Sequence, residues 1–216
     1  MPSSISNSEF ERPIPAQPWS KLLLIVAVVT AVVSAGWELR ARAKGYAPTL
    51  NDTADLWADR REAVQPDSIV IIGDSRPFFD LDLDALQQGL GRRPIQLALA
   101  GSCCYPILQN LADDPKFHGT IICSVVPGMY LAPGGPLLEN SNLALKRYRN
   151  RTVAQRASNQ LGLFLEEHLA CLKQEDLTLD QLIKRIEVPD RAGAMVPPKL
   201  PPYFCTVDRE RRARMF

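Results

Sequence analysis

Ser75 is the residue of this 216-residue chain whose type and setting best fit it for chemistry. It closes the stretch from Asp67 to Arg76, DSIVIIGDSR, in which an uninterrupted apolar run ends in Gly73 and an Asp-Ser-Arg step. A serine just past the carboxyl end of a strand faces the crevice where open α/β sheets bind ligands. Gly73 permits a tight turn there, and the N–H groups of a following helical turn could stabilise an oxyanion. Arg76 could face an anionic group of a substrate or cap the turn. The plainer reading is that Gly-Asp-Ser is ordinary turn chemistry before a helix.

A serine hydroxyl is a weak nucleophile and needs a general base, usually histidine oriented by a carboxylate. The chain has two histidines. His118 precedes the third apolar run, at the amino pole of a sheet and so roughly 17 Å from the carboxyl pole of Ser75. His168 flanks the apolar stripe of a helix, three residues after Leu165. Packing or surface roles are expected for both, and no serine–histidine–aspartate triad can be assembled.

The five cysteines, Cys103, Cys104, Cys123, Cys171 and Cys205, form no C-x-x-C pair and have no histidine at metal-ligand spacing. Neither zinc nor a complete disulfide framework is indicated, and small core residues are expected. Cys103 and Cys104 lie near Gly101, where a nucleophilic thiol is the alternative. Asp80, Asp82 and Asp84 resemble the start of a calcium loop, but residue 85 is alanine and the twelfth position is Gly91. Helix capping accounts for them better, and no metal or cofactor is expected.

The elements that must position Ser75 follow from the hydropathy pattern. Residues 1–18 read as a disordered polar leader with four prolines, Pro2, Pro13, Pro15 and Pro18. Residues 19–38, bracketed by Trp19 and Trp37 and uncharged from Leu22 to Trp37, predict a single transmembrane helix. A cleaved signal peptide, with Val33-Ser34-Ala35 as its small-residue site, is the rival. Arg12 and Lys21 flank one side and Arg40, Arg42 and Lys44 the other, a count that by itself places the C-terminal part in the cytoplasm. Residues 45–66 form a connector and a short helix capped by Asn51 or Thr53.

From residue 67 to 216 an α/β domain is expected. Apolar runs at 68–73, 95–100 and 120–126 alternate with amphipathic helices at 82–90 and around Ile107–Leu111. Such strands predict a parallel sheet covered on both faces, a doubly wound three-layer arrangement. At least one long helix is expected within 141–172, a further one over 176–188, and a solvated charged end in DRERRARMF with no final strand. With a net charge of +1 and interspersed signs, no nucleic-acid partner is expected. The oligomeric state stays open.

Gly-Asp-Ser after the first strand resembles the first motif block of the SGNH/GDSL hydrolase superfamily, esterases and acyl-transfer enzymes of flavodoxin-like fold. The resemblance covers roughly residues 67–130. It implies Ser75 as nucleophile, with Asp74 beside it, and Gly101 in LALAGS as an oxyanion-hole donor. Asp74, Arg76 and Tyr130 are the candidate substrate-binding residues. Tyr130 stands where the third block has asparagine, and its hydroxyl could substitute as donor. The Asp-x-x-His that supplies the family's base is absent.

The resemblance implies a partial flavodoxin-like sheet in a membrane-anchored esterase or O-acyltransferase. Its substrate would be an ester on a cell-envelope glycan, lipid or small molecule. Single-anchor members of the family imply a plasma-membrane protein with an external globular domain. The alternatives are a truncated or degenerate, non-catalytic relative and a membrane-tethered interaction scaffold built on the 141–187 helices.

Overall fold

The computed structural model describes residues 18–130, 135–173 and 205–215, and the chain divides into two units, Met1–Trp37 and Glu38–Phe216. Helix α1 (Trp19–Ala43) is unbroken over 25 residues, about 37 Å at the α-helical rise. Its apolar side chains from Leu22 to Val33 are exposed. It is long and apolar enough to cross a membrane.

In the second unit, α2 (Ala54–Glu62) starts where the polar side chain of Thr53 accepts the Leu56 N–H at 3.2 Å. Trp57 of this helix is wholly buried and donates its indole N–H to the Leu97 carbonyl at 2.9 Å. Then follow β1 (Ile69–Ile72), α3 (Ser75–Asp80), α4 (Leu83–Leu90), β2 (Ile95–Gln96), α5 (Tyr105–Ala112), β3 (Thr120–Cys123) and the single turn α6 (Pro127–Tyr130). The carboxylate of Asp82 caps α4 by accepting the Asp84 N–H at 2.8 Å, and Gly91 ends it in the left-handed region at φ 69°.

The three strands form a parallel sheet in the order β2-β1-β3. β1 pairs in register with β3 from Ile69↔Thr120 to Ile72↔Cys123. Regular pairing is shorter than the apolar runs predict. Backbone bonds nevertheless continue past it, from Leu97 N–H to Ile71 O at 2.8 Å, Leu99 N–H to Gly73 O at 3.0 Å and Ser124 N–H to Ile72 O at 3.0 Å. Val70, Ile71 and Ile72 are all fully buried, as a central strand covered on both faces requires. Val70, Ile72 and Leu97 pack with Trp57, Ile107 and Leu145, whereas Ala98 packs with Phe78, Leu163 and Val207.

The expectation of at least one long helix within 141–172 holds: α8 (Val153–His168) lies there, preceded by α7 (Pro136–Asn150) and followed by a 3-10 turn at Ala170–Lys173. Arg151 is extended between them because its guanidinium is drawn into the acidic face of α2. It meets Asp59 at 2.5 Å and Glu62 at 3.0 Å and donates to the Asp55 carbonyl at 3.1 Å. Thr152 then restarts the helix through a reciprocal capping box with Gln155. The helix expected over 176–188 lies outside the described residues.

One expectation fails, at the C-terminus, where the charge run is not a solvated end. It forms an antiparallel hairpin of β4 (Cys205–Val207) and β5 (Ala213–Met215), and Arg211 in its turn is fully buried. The connector holds this hairpin: Leu50 N–H donates to Val207 O at 3.0 Å, and Thr49 Oγ1 accepts the Val207 N–H at 2.7 Å. Arg93 binds Glu210 and Asp84, and Arg212 binds Asp84 and Asp208, so α4 and the hairpin share one ionic cluster.

Candidate functional site

The carboxyl pole of the sheet begins at Gly73. Its φ is +150°, and a Cβ there would lie 2.6 Å from Pro77 Cγ and 3.0 Å from the backbone oxygen of Ser124. Only glycine fits, and the chain turns directly from β1 into α3. Asp74 is buried and caps α3, its carboxylate accepting the Arg76 N–H at 3.0 Å.

Ser75 is the first residue of α3 and partly exposed, and its hydroxyl has no hydrogen-bond partner among the described residues. Arg76 is exposed, and its guanidinium has no acidic partner among them. With Pro77, Asp80, Leu81 and Cys123 it lines an open groove of about 280 Å³.

Gly101 follows the last sheet bond of its segment by two residues and therefore belongs to the same pole. It is exposed at φ +64°, and its carbonyl accepts from Asn140 Nδ2 at 3.4 Å. Tyr130 ends α6 and packs edge-to-face on Tyr105 at 5.7 Å. Burial, helped by the neighbouring thiols, raises its phenol above the ordinary value, so the hydroxyl is a donor at neutral pH.

Asp74 and Tyr130 meet at one small cavity of about 10 Å³, shared with Ser102, Cys103, Cys104, Ser124 and Met129. That volume is about one water molecule. Ser75 and Gly101 do not line it, and Ser75 does not line the Arg76 groove either. Thus Asp74 and Tyr130 are brought together, Arg76 faces a separate groove, and Ser75 stands between Asp74 and Arg76 in sequence, at the lip of the pole.

Behind the cavity, buried Ser141 donates to the Cys103 carbonyl and bonds Ser102, whose hydroxyl also reaches the Leu137 carbonyl at 3.3 Å. These hydroxyls join α7 to the loop after Gly101. Ser102 and Ser141 were not singled out from sequence, where only Ser102 carried a signal, as a polar residue following Gly101.

Neither histidine supplies a base. His118 is exposed and precedes Thr120, which pairs with Ile69 at the end of β1 opposite to Ser75. His168 is exposed at the end of α8, its Nδ1 2.7 Å from the Phe164 carbonyl and its ring against Phe164 at 4.5 Å. The thiol alternative fares no better. Cys103 and Cys104 are buried, and burial first, then Cys123, pushes Cys104 up to about 12, so it stays protonated at neutral pH. Among the described residues no cluster of histidine, cysteine or acidic side chains is arranged to hold a metal ion. Asp82 caps α4, as expected, and Asp84 pairs with Arg93 and Arg212.

No protein-family model matches the chain, and neither a curated protein nor a solved structure matches it.

Proposed function

We propose that the carboxyl pole of the β2-β1-β3 sheet is a serine acyl-transfer site of SGNH type, carried on a flavodoxin-like domain tethered to the plasma membrane by α1 and facing outward. Ser75 is the nucleophile, the Ser75 and Gly101 N–H groups are the oxyanion donors, and Tyr130 takes the place of the third block's asparagine. Arg76 and its groove receive the anionic or polar part of an ester-bearing envelope molecule. The observation that carries this reading is the placement of Ser75: it opens a helix directly off the central strand of a parallel sheet, behind a glycine that no other residue can replace. The general base is neither of the chain's two histidines.

A serine-directed fluorophosphonate applied to the full chain in detergent tests this reading. The expected adduct is on Ser75 and is lost in Ser75→Ala; an unlabelled Ser75 in folded protein overturns the proposal. The place of His118 beyond the opposite end of β1, and of His168 against Phe164 at the end of α8, favours a second reading, in which the pole binds an ester and does not turn it over. That reading requires ester binding that survives Ser75→Ala.

A further inference from the structure

Cys104 is the residue from which α5 starts, and Cys123 is the last residue of β3. Their sulfurs lie 3.7 Å apart, in van der Waals contact, and both cysteines are free thiols. Cys104 is buried and borders the small cavity, whereas Cys123 is exposed and borders the Arg76 groove. One member of the pair therefore meets solvent, and the other is buried, its sulfur against Cys123 and the Ser124 carbonyl at 3.9 Å. We propose that Cys104 and Cys123 are a dithiol–disulfide exchange site, oxidised by a low-molecular-weight or protein disulfide and reduced by a dithiol.

The chemistry follows the difference in exposure. The exposed Cys123 thiolate attacks the disulfide RSSR, forming Cys123–S–S–R and releasing one RS⁻, which takes up the proton that Cys123 lost. Cys104, protonated at neutral pH, must pass its proton to the departing thiolate as its sulfur attacks the Cys123 sulfur of the mixed disulfide, so that Cys104–S–S–Cys123 closes slowly and the second RSH leaves. In sum, two protein thiols and RSSR give one protein disulfide and two RSH, so two electrons pass to the small disulfide. Closing the sulfurs from 3.7 Å to the roughly 2.05 Å of a disulfide is a small displacement.

The geometry also selects against the other thiol nearby. Cys103 directs its sulfur at the Tyr130 carbonyl at 3.7 Å, towards α6 and away from Cys123. Cys171 and Cys205 lie on other elements, the 3-10 turn and β4. The link would tie the start of α5 to the end of β3, across the wall that the cavity and the groove share. It does not depend on acyl transfer at Ser75.

The experiment treats the full chain in detergent micelles with oxidised glutathione, blocks remaining thiols by alkylation, and maps linkages by tandem mass spectrometry under non-reducing conditions. The expected product joins Cys104 to Cys123, is reversed by dithiothreitol, and forms equally in Cys103→Ala, which removes the ambiguity of adjacent cysteines. In Cys104→Ala the expected product is a stable Cys123–glutathione mixed disulfide. A mixed disulfide that persists on Cys123 in the unmutated chain, or a Cys103–Cys123 link, overturns the proposal. Because the mapping is done on the unmutated chain first, a variant that fails to fold does not decide the result.

Discussion

The guanidinium of Arg211 forks onto the carboxylate of Asp52, 159 residues earlier, at 2.6 and 2.8 Å. Arg211 has no exposed surface, stacks over the Phe78 ring at 5.0 Å and donates to the Gln96 carbonyl at 3.3 Å. Phe78 belongs to α3, the helix that Ser75 opens, and Gln96 in turn donates to the Pro77 carbonyl at 2.8 Å. One arginine near the C-terminus therefore braces the connector, the sheet and the helix of the candidate nucleophile.

Removing that brace leaves Asp52 without its partner and Phe78 without a stacked face. Arg211→Met is expected to destabilise the folded unit by about 3 kcal/mol, the usual scale for breaking one side of a buried pair. Asp52→Asn, which keeps one of the fork's two acceptors but leaves the buried guanidinium without its counter-charge, is expected to cost about as much. Urea unfolding of the full chain in detergent, followed by the fluorescence of buried Trp57, measures both. An Arg211→Met variant as stable as the parent would show that the fork contributes nothing.

Asp84 gives the hairpin a pH dependence. The hydrogen bond from Arg93, with Arg212 adding its charge, holds this carboxyl below its ordinary value of 3.8. A depressed folded-state value stabilises the fold fully above pH 3.8 and less as the pH falls through the folded value, when the carboxylate is neutralised. Acid is therefore expected to loosen the β4–β5 hairpin from α4 first below about pH 4. Amide exchange at Thr206 and Arg214 reads this release, and Asp84→Asn is expected to show the loosened exchange already at neutral pH.

The elements that surround Ser75 were legible where local pattern decides them. Thr53 and Asp82 cap the helices expected of them, and the apolar runs at Ile69–Ile72 and Thr120–Cys123 are strands, the first buried at the centre of the sheet and the second a partly exposed edge. The start of α8 was legible, since Thr152 and Gln155 spell a capping box ahead of the helical spacing of Val153, Leu161 and Leu165. Arg211 was not legible: a run of charges signals a solvated end unless the acid that buries it is known, and Asp52 is far away in sequence. At the site, the turn at Gly73 could be read from its sequence. The pairing of Asp74 with Tyr130 across a cavity, and of Cys104 with Cys123, depends on three segments converging and leaves no local trace.

Gly73 permits a sharper test of the pole than any polar residue. Alanine there meets both a φ of +150° and a Cβ 2.6 Å from Pro77 Cγ. Gly73→Ala is expected to cost at least about 2 kcal/mol and to displace α3. Gly128→Ala, where a Cβ meets nothing within 4 Å, is the matched control and is expected to lie within about 1 kcal/mol of the parent. Thermal unfolding of the two variants side by side measures the difference.

Asp74 separates a capping role from a chemical one. As the cap of α3 it needs only an acceptor for the Arg76 N–H, which asparagine supplies about as well as aspartate. Asp74→Asn is therefore expected to leave stability and fluorophosphonate labelling of Ser75 nearly unchanged. Asp74→Ala should lose about 1 kcal/mol and label roughly tenfold more slowly, because the first turn of α3 no longer holds the serine in place. The ratio of the two labelling rates is the measurement. If Asp74→Asn slows as much as Asp74→Ala, the carboxylate charge acts on Ser75 directly and the cap is secondary to it.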